Sequence, residues 1–218
     1  MELFFGKIFL KHEDAKGGFL EDLSKNIETR VSNLFKFFNI KSLDKKINIV
    51  LWNDVEEFRR FAKSKLNMDV PNWMCGWVQN IENLSIVNTL ILEELRKCES
   101  HSNNQIHDLE NIIIHEIIHI IVKFISNGKK TKKWLTEALA TVLSNQQHTF
   151  KFKITVDSLY NDNFIDYGTF NLIGQYLLNK TSKDYIISLI SDFDFLTAEI
   201  TKIYVGANLY FDECNNSC

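Results

Sequence analysis

The stretch NIIIHEIIHIIVKF, residues 111–124, leaves this chain few ways to fold. Its isoleucines and valine favour a strand by propensity alone. Its surroundings favour a helix. From Ile106 to Ser126 there is neither Gly nor Pro, a span too long for an ordinary strand. Asn127 and Gly128, followed by Lys129 and Lys130, then supply a helix stop with positive charge at the negative end of the dipole. A helix over roughly residues 106–126 that is apolar on every side belongs in the middle of a core. Yet it carries His115, Glu116 and His119, which are costly to bury without partners.

The helical reading gives those three residues a use. In a strand, His115 and His119 would lie about 13 Å apart at about 3.3 Å per residue, too far to share an ion. On a helix, residues four apart have β-carbons about 5–6 Å apart, so both imidazoles reach one zinc at bonds of about 2.0–2.1 Å. Glu116 points about 100° away around the helix axis, beside the ion's water instead of in the ligand stripe. This is the division of labour in H-E-x-x-H: two metal ligands and a general base. A catalytic zinc takes three protein ligands and keeps one position open. The candidate third ligand is Glu137, at the margin of the apolar arc of the amphipathic helix KKWLTEALATVLSNQQ. It lies 18 residues beyond His119, enough for the chain to reverse.

Elsewhere the pattern is that of an α+β chain. Phe19, Leu20, Leu23, Ile27, Val31, Leu34, Phe35 and Phe38 mark a long amphipathic helix. KINIVLW (46–52) reads as a strand, and Asp54 with Glu57 in capping-box spacing starts a second helix. The loop VPNWMCGWV and another strand, LSIVN (84–88), follow. Beyond residue 105 helical patterns take over, at roughly 106–126, 133–146, 165–179, 182–193 and 197–205, before a loose polar tail, FDECNNSC. LFFGKIFL near the N-terminus reads as a strand and not as a signal peptide, because Lys7 and Lys11 interrupt it and no small-residue cleavage site follows. With 218 residues and 45% hydrophobic content, the chain can bury one core or one core split by a cleft. The expected organisation is an N-terminal α/β subdomain over 1–126, including the H-E-x-x-H helix, and a helical subdomain over 127–218.

A formal charge of -3, without a basic stripe, argues against a nucleic-acid partner. No run reaches the roughly 20 apolar residues a membrane span requires. Cys75, Cys98, Cys214 and Cys218 form neither a disulfide framework nor a C-x2-C metal pair, and read as free thiols of a cytoplasmic protein. His12, His101, His107 and His148 lack ligand spacing and read as surface or capping residues.

His115, Glu116, His119 and Glu137 together resemble the gluzincin motif, and WLTEALA is close to the W-L-x-E-G-L-A that surrounds the third ligand in the peptidase MA-like group. Upstream, KINIVLWNDVEEFRRF, PNWMCGWV and LSIVNT resemble that group's strand, helix, loop and edge-strand order. Downstream, YGTFNLIGQYLL resembles its Y-x-x-x-x-F-x-x-Y-L helix. The resemblance covers about residues 46–190. Ala138 stands where the group has Gly. Thr141 stands where some gluzincins carry an acidic partner for a zinc-bound histidine, and nothing corresponds to the G-x-M-E-N segment of the aminopeptidases.

The resemblance implies a two-lobed, zincin-like α+β domain and one Zn2+ held by His115, His119 and Glu137. It implies an endopeptidase in which Glu116 takes a proton from the attacking water. It offers Tyr167 as the oxyanion donor, although Tyr167 also falls in a helical stripe with Phe170, Gly174 and Leu177 that suits a core aromatic. LSIVN would be an edge strand that takes up an extended peptide, with Ile86 and Asn88 in contact. Trp73 and Trp77 would either wall the cleft or anchor the core. The partner is a peptide or protein substrate. The alternative is a catalytically silent zinc scaffold that binds a partner peptide, and retention of Glu116 argues against it.

Overall fold

A computed structural model describes residues 17–98, 106–146, 148, 154–163 and 166–216. The N-terminal strand expected over residues 3–10, together with His12, His101 and Cys218, lies outside them. The architecture is α+β, mostly helical, with one three-stranded sheet among the described residues. The chain forms two compact units, 1–117 and 118–218, and the division falls within helix α4 (Ile106–Ile125).

In the first unit, α1 (Gly17–Phe37) buries Leu23, Ile27, Val31 and Leu34, the stripe set by its helical spacing. Strand β1 (Lys46–Trp52) alternates buried Ile47, Ile49 and Leu51 with half-covered neighbours. Helix α2 (Val55–Leu66) starts where Asp54 Oδ1 accepts from Glu57 N at 2.7 Å and ends at Asn67, whose left-handed φ of 52° closes the last turn. Its Phe58 and Phe61 pack edgewise and tilted on Trp52, and Phe61 also meets Trp77. α2 thereby covers one face of the sheet.

Strands β2 (Gly76–Ile81) and β3 (Leu84–Leu90) form an antiparallel hairpin, and β1 pairs with β3 in parallel, giving the order β1-β3-β2. LSIVN therefore lies in the centre of the sheet, not at its edge. Its burial agrees: Ser85, Val87, Asn88, Thr89 and Leu90 are all buried, as in a strand flanked on both sides, whereas β2 ends on exposed Asn80 and Ile81. Asn88 is accordingly buried and accepts from Trp52 Nε1 at 3.1 Å. Cys75 and Gly76, read as loop, lead straight into β2, which is an edge strand among the described residues. Trp77 is buried and Trp73 exposed.

The first turns of α4 are tied to α1 by two polar bonds, Asn26 Nδ2 to Glu110 Oε1 and Arg30 to Asn111 Oδ1, each 2.8 Å. Ile112, Ile113, Ile114 and Ile117 are buried in this part of α4. Fully burying an isoleucine contributes about 1.5–3 kcal/mol, which outweighs the modest strand preference of β-branched residues.

In the second unit, α4 ends at Ile125 ahead of Asn127 and Gly128, both in the left-handed region. Then come α5 (Lys133–Leu143), α6 (Val156–Tyr160), α7 (Tyr167–Lys180), α8 (Lys183–Ser191) and α9 (Phe193–Asn216). α6 was not foreseen, and most of the tail expected to be loose is helical through Asn216, because α9 continues without a Gly or Pro beyond Gly206. Gly174 sets the approach of α7 to α5. A Cβ there would stand 2.4 Å from the Ala138 carbonyl oxygen and 2.8 Å from Val142 Cγ1. No described helix is long and apolar enough to cross a membrane.

Candidate metal centre

Helix α4 brings His115, Glu116 and His119 together, with one ligand atom of each lying within 4.8 Å of the others. His115 is buried, while Glu116 and His119 are half-buried. The helical choice argued from length and stop signals is what makes this cluster, since the four-residue spacing closes only on a helix.

Glu137, on α5, joins through His119: Oε1 lies 3.9 Å from His119 Nε2, and both side chains are largely shielded. That distance exceeds a hydrogen bond. It is close to the roughly 3.4 Å that two ligands of one tetrahedral zinc keep at bonds of about 2.0–2.2 Å. Two imidazoles and a carboxylate are also the donor set that a divalent zinc takes. The His115, Glu116 and His119 group could thus hold a metal ion, and Glu137 stands within reach of one bound at His119.

The start of α5, one turn before Glu137, is held from far along the chain. Lys132, at the N-cap of α5, makes no side-chain cap bond. Instead Asp162 accepts from the first two free N–H groups of the helix, Lys133 N at 2.9 Å and Trp134 N at 3.2 Å. Trp134 Nε1 donates to the Leu159 carbonyl at 3.0 Å, and Lys132 Nζ donates to the Tyr160 carbonyl. This clamp grips the turn immediately before Glu137. No spacing signal announced it, because Asp162 sits on a short loop in the left-handed region (φ 56°) and acts across 28 residues or more.

Thr141 lies one turn beyond Glu137 on α5. It is fully buried, and its hydroxyl has no hydrogen-bond partner among the described residues.

Tyr167 is the first residue of α7. Asp166 caps this helix through Gly168 N (2.9 Å) and Thr169 N (3.2 Å). The Tyr167 ring is half-buried, packs edgewise on Phe170 and stacks on His148 with centroids 5.3 Å apart. Asn171 Nδ2 holds the His148 carbonyl at 2.8 Å. His148, read as a surface or capping residue, thus belongs to the surroundings of Tyr167. Only the fold could show this, since it depends on the turn after α5. Cys75, Cys98 and Cys214 are free thiols.

Comparison with protein-family models, with curated proteins and with solved structures finds no match for this chain.

Proposed function

We propose that this chain is a zinc-dependent metallopeptidase of the gluzincin type, an endopeptidase on a zincin-like fold. The observation that carries the reading is the convergence of His115, Glu116 and His119 ligand atoms within 4.8 Å on one helix. Glu137 on His119 supports it as the third ligand. When bound, zinc supplies Lewis acidity, polarising a scissile carbonyl and lowering the pKa of a water to about 7.

The chain's own residues supply the rest. The Glu116 carboxylate, one residue round the helix from His115, accepts the proton of the attacking water and returns it to the leaving amine. The Tyr167 hydroxyl donates to the oxyanion that develops on the scissile carbonyl. A substrate strand pairs with β2, whose outer edge is open among the described residues. This role passes to β2 from the central β3.

Two measurements test the proposal. Protein purified without added metal should hold one zinc per chain. Stripped protein should regain about 2.7 kcal/mol of stability at zinc concentrations about 100-fold above Kd, a gain that His119→Ala abolishes. Less than stoichiometric zinc, with no rise in Tm on adding it, refutes the metal centre. Against casein or a quenched-peptide panel, Glu116→Gln should lower kcat by about 10²–10⁴-fold while zinc stays bound. Cleavage unchanged by that substitution ends the peptidase assignment and leaves the silent scaffold.

A further inference from the structure

Strand β2 begins on a glycine, and its backbone conformation does not explain why. Among the glycines of the described residues with positive φ only Gly128 is found, so Gly76 occupies a conformation open to any residue. The explanation is space. A Cβ at Gly76 would lie 2.9 Å from Ile112 Cγ2, 3.1 Å from Glu116 Oε1 and 3.2 Å from Glu116 Cγ. All three distances are tighter than ordinary van der Waals contact, so one of the parties would have to move.

The surroundings decide which. The strand is pinned on both sides of the glycine: the Cys75 carbonyl accepts from Leu90 N at 3.2 Å and from Thr89 Oγ1 at 3.0 Å, and Trp77 is buried against Phe61. Ile112 is buried. The closest contact is with Ile112, so relief requires α4 itself to give way, and Glu116, on the same helix and 3.1–3.2 Å from the Cβ, shifts with it.

The register sets where the backbone groups of Gly76 point. Gly76 pairs with Thr89, and the Leu90 N to Cys75 carbonyl bond beside it marks this as a non-hydrogen-bonded pair. The N–H and C=O of Gly76 therefore point to the outer edge of β2, while Glu116 lies on the face its Cβ would occupy.

We infer that Gly76 is a positioning residue for Glu116: its missing side chain lets β2 close onto α4 and fixes the carboxylate against that strand. The inference rests on the proposed role of Glu116 as general base, but the contact itself is tested independently of activity.

Gly76→Ala is made in the wild-type chain and in an Ile112→Ala/Glu116→Ala background, and Tm is measured for all four proteins. In the wild-type chain the substitution should lower Tm by about 2–12 °C, the range expected for overpacking in a chain of this length. In the doubly truncated background the loss should vanish. If Gly76→Ala folds only in that background, the same coupling is shown. An equal loss in both backgrounds overturns the inference.

On the peptide panel, Gly76→Ala should lower kcat by up to about 10²-fold, the cost of misplacing a reacting group by about 1 Å, with KM within about twofold and zinc content unchanged. Full kcat in this variant also overturns the positioning role. A wild-type chain that cleaves nothing refutes the peptidase reading instead, and the Tm cycle then still decides whether Gly76 holds Glu116.

Discussion

Asp162 offers the sharpest test of how the start of α5 is held. Its carboxylate takes two N–H groups at the start of α5, at 2.9 and 3.2 Å, while its own backbone sits at φ 56°. Alanine at this position removes both acceptors and also disfavours the left-handed backbone. Loss of the cap costs about 1 kcal/mol and the backbone term about 1–2 kcal/mol, so Asp162→Ala should destabilise by about 2–3 kcal/mol. In a chain of about this size that corresponds to a Tm lower by about 4–12 °C. Asp162→Gly removes the acceptors but accepts the backbone, and should lose only the cap contribution of about 1 kcal/mol. Asp162→Asn keeps one side-chain oxygen and tolerates positive φ, and should lose least. Differential scanning fluorimetry on the three variants, with zinc content measured in parallel, gives the order. Alanine at the level of wild type, or asparagine losing as much as alanine, would refute the claim that Asp162 caps α5.

Gly174→Ala should be among the most destabilising single substitutions in the second unit, by about 1–3 kcal/mol or more, because the Cβ would meet a backbone oxygen at 2.4 Å. A urea midpoint unchanged from wild type would contradict that packing. Burial, with Cys98 alongside, pushes the Cys75 thiol well above the usual range, so its thiolate fraction at pH 8 is very small. In the folded protein Cys75 should alkylate with iodoacetamide at least about tenfold more slowly than the half-exposed Cys214. Peptide-resolved mass spectrometry reads the two rates, and equal rates would show that Cys75 is accessible.

What was legible in the sequence was whatever depends on local periodicity. The β-branched run 46–52 is β1, Asp54 caps α2, and the glycine-free stretch ahead of Asn127 and Gly128 is α4. The metal cluster was legible for the same reason, since His115, Glu116 and His119 share one helix and need no tertiary information to be brought together. Glu137, expected from the apolar arc of WLTEALA, lies 3.9 Å from His119 Nε2. The order of strands was not legible. β2 takes its strand character from pairing with β3, and GWVQNI alone has too mixed a pattern to announce it. The Asp162 clamp and the stacking of His148 on Tyr167 depend on which loops meet, and residue type at those positions carries no such message. α9 outran its expected end: it buries Leu196, Ile200, Ile203 and Ala207, and the residues beyond, which include neither Gly nor Pro, continue the helix to Asn216.

The recognisable motifs begin at about residue 46, yet α1 lies wholly before them and is bonded to the helix that bears the histidines through Asn26–Glu110 and Arg30–Asn111. A fragment trimmed to the motif boundaries would leave Glu110, now buried, without its Asn26 donor. It would also strip away the layer formed by Leu23, Ile27, Val31 and Leu34. The smallest piece of this chain able to keep the start of its histidine-bearing helix packed is therefore set by a helix outside the recognisable motifs, and it must start no later than α1.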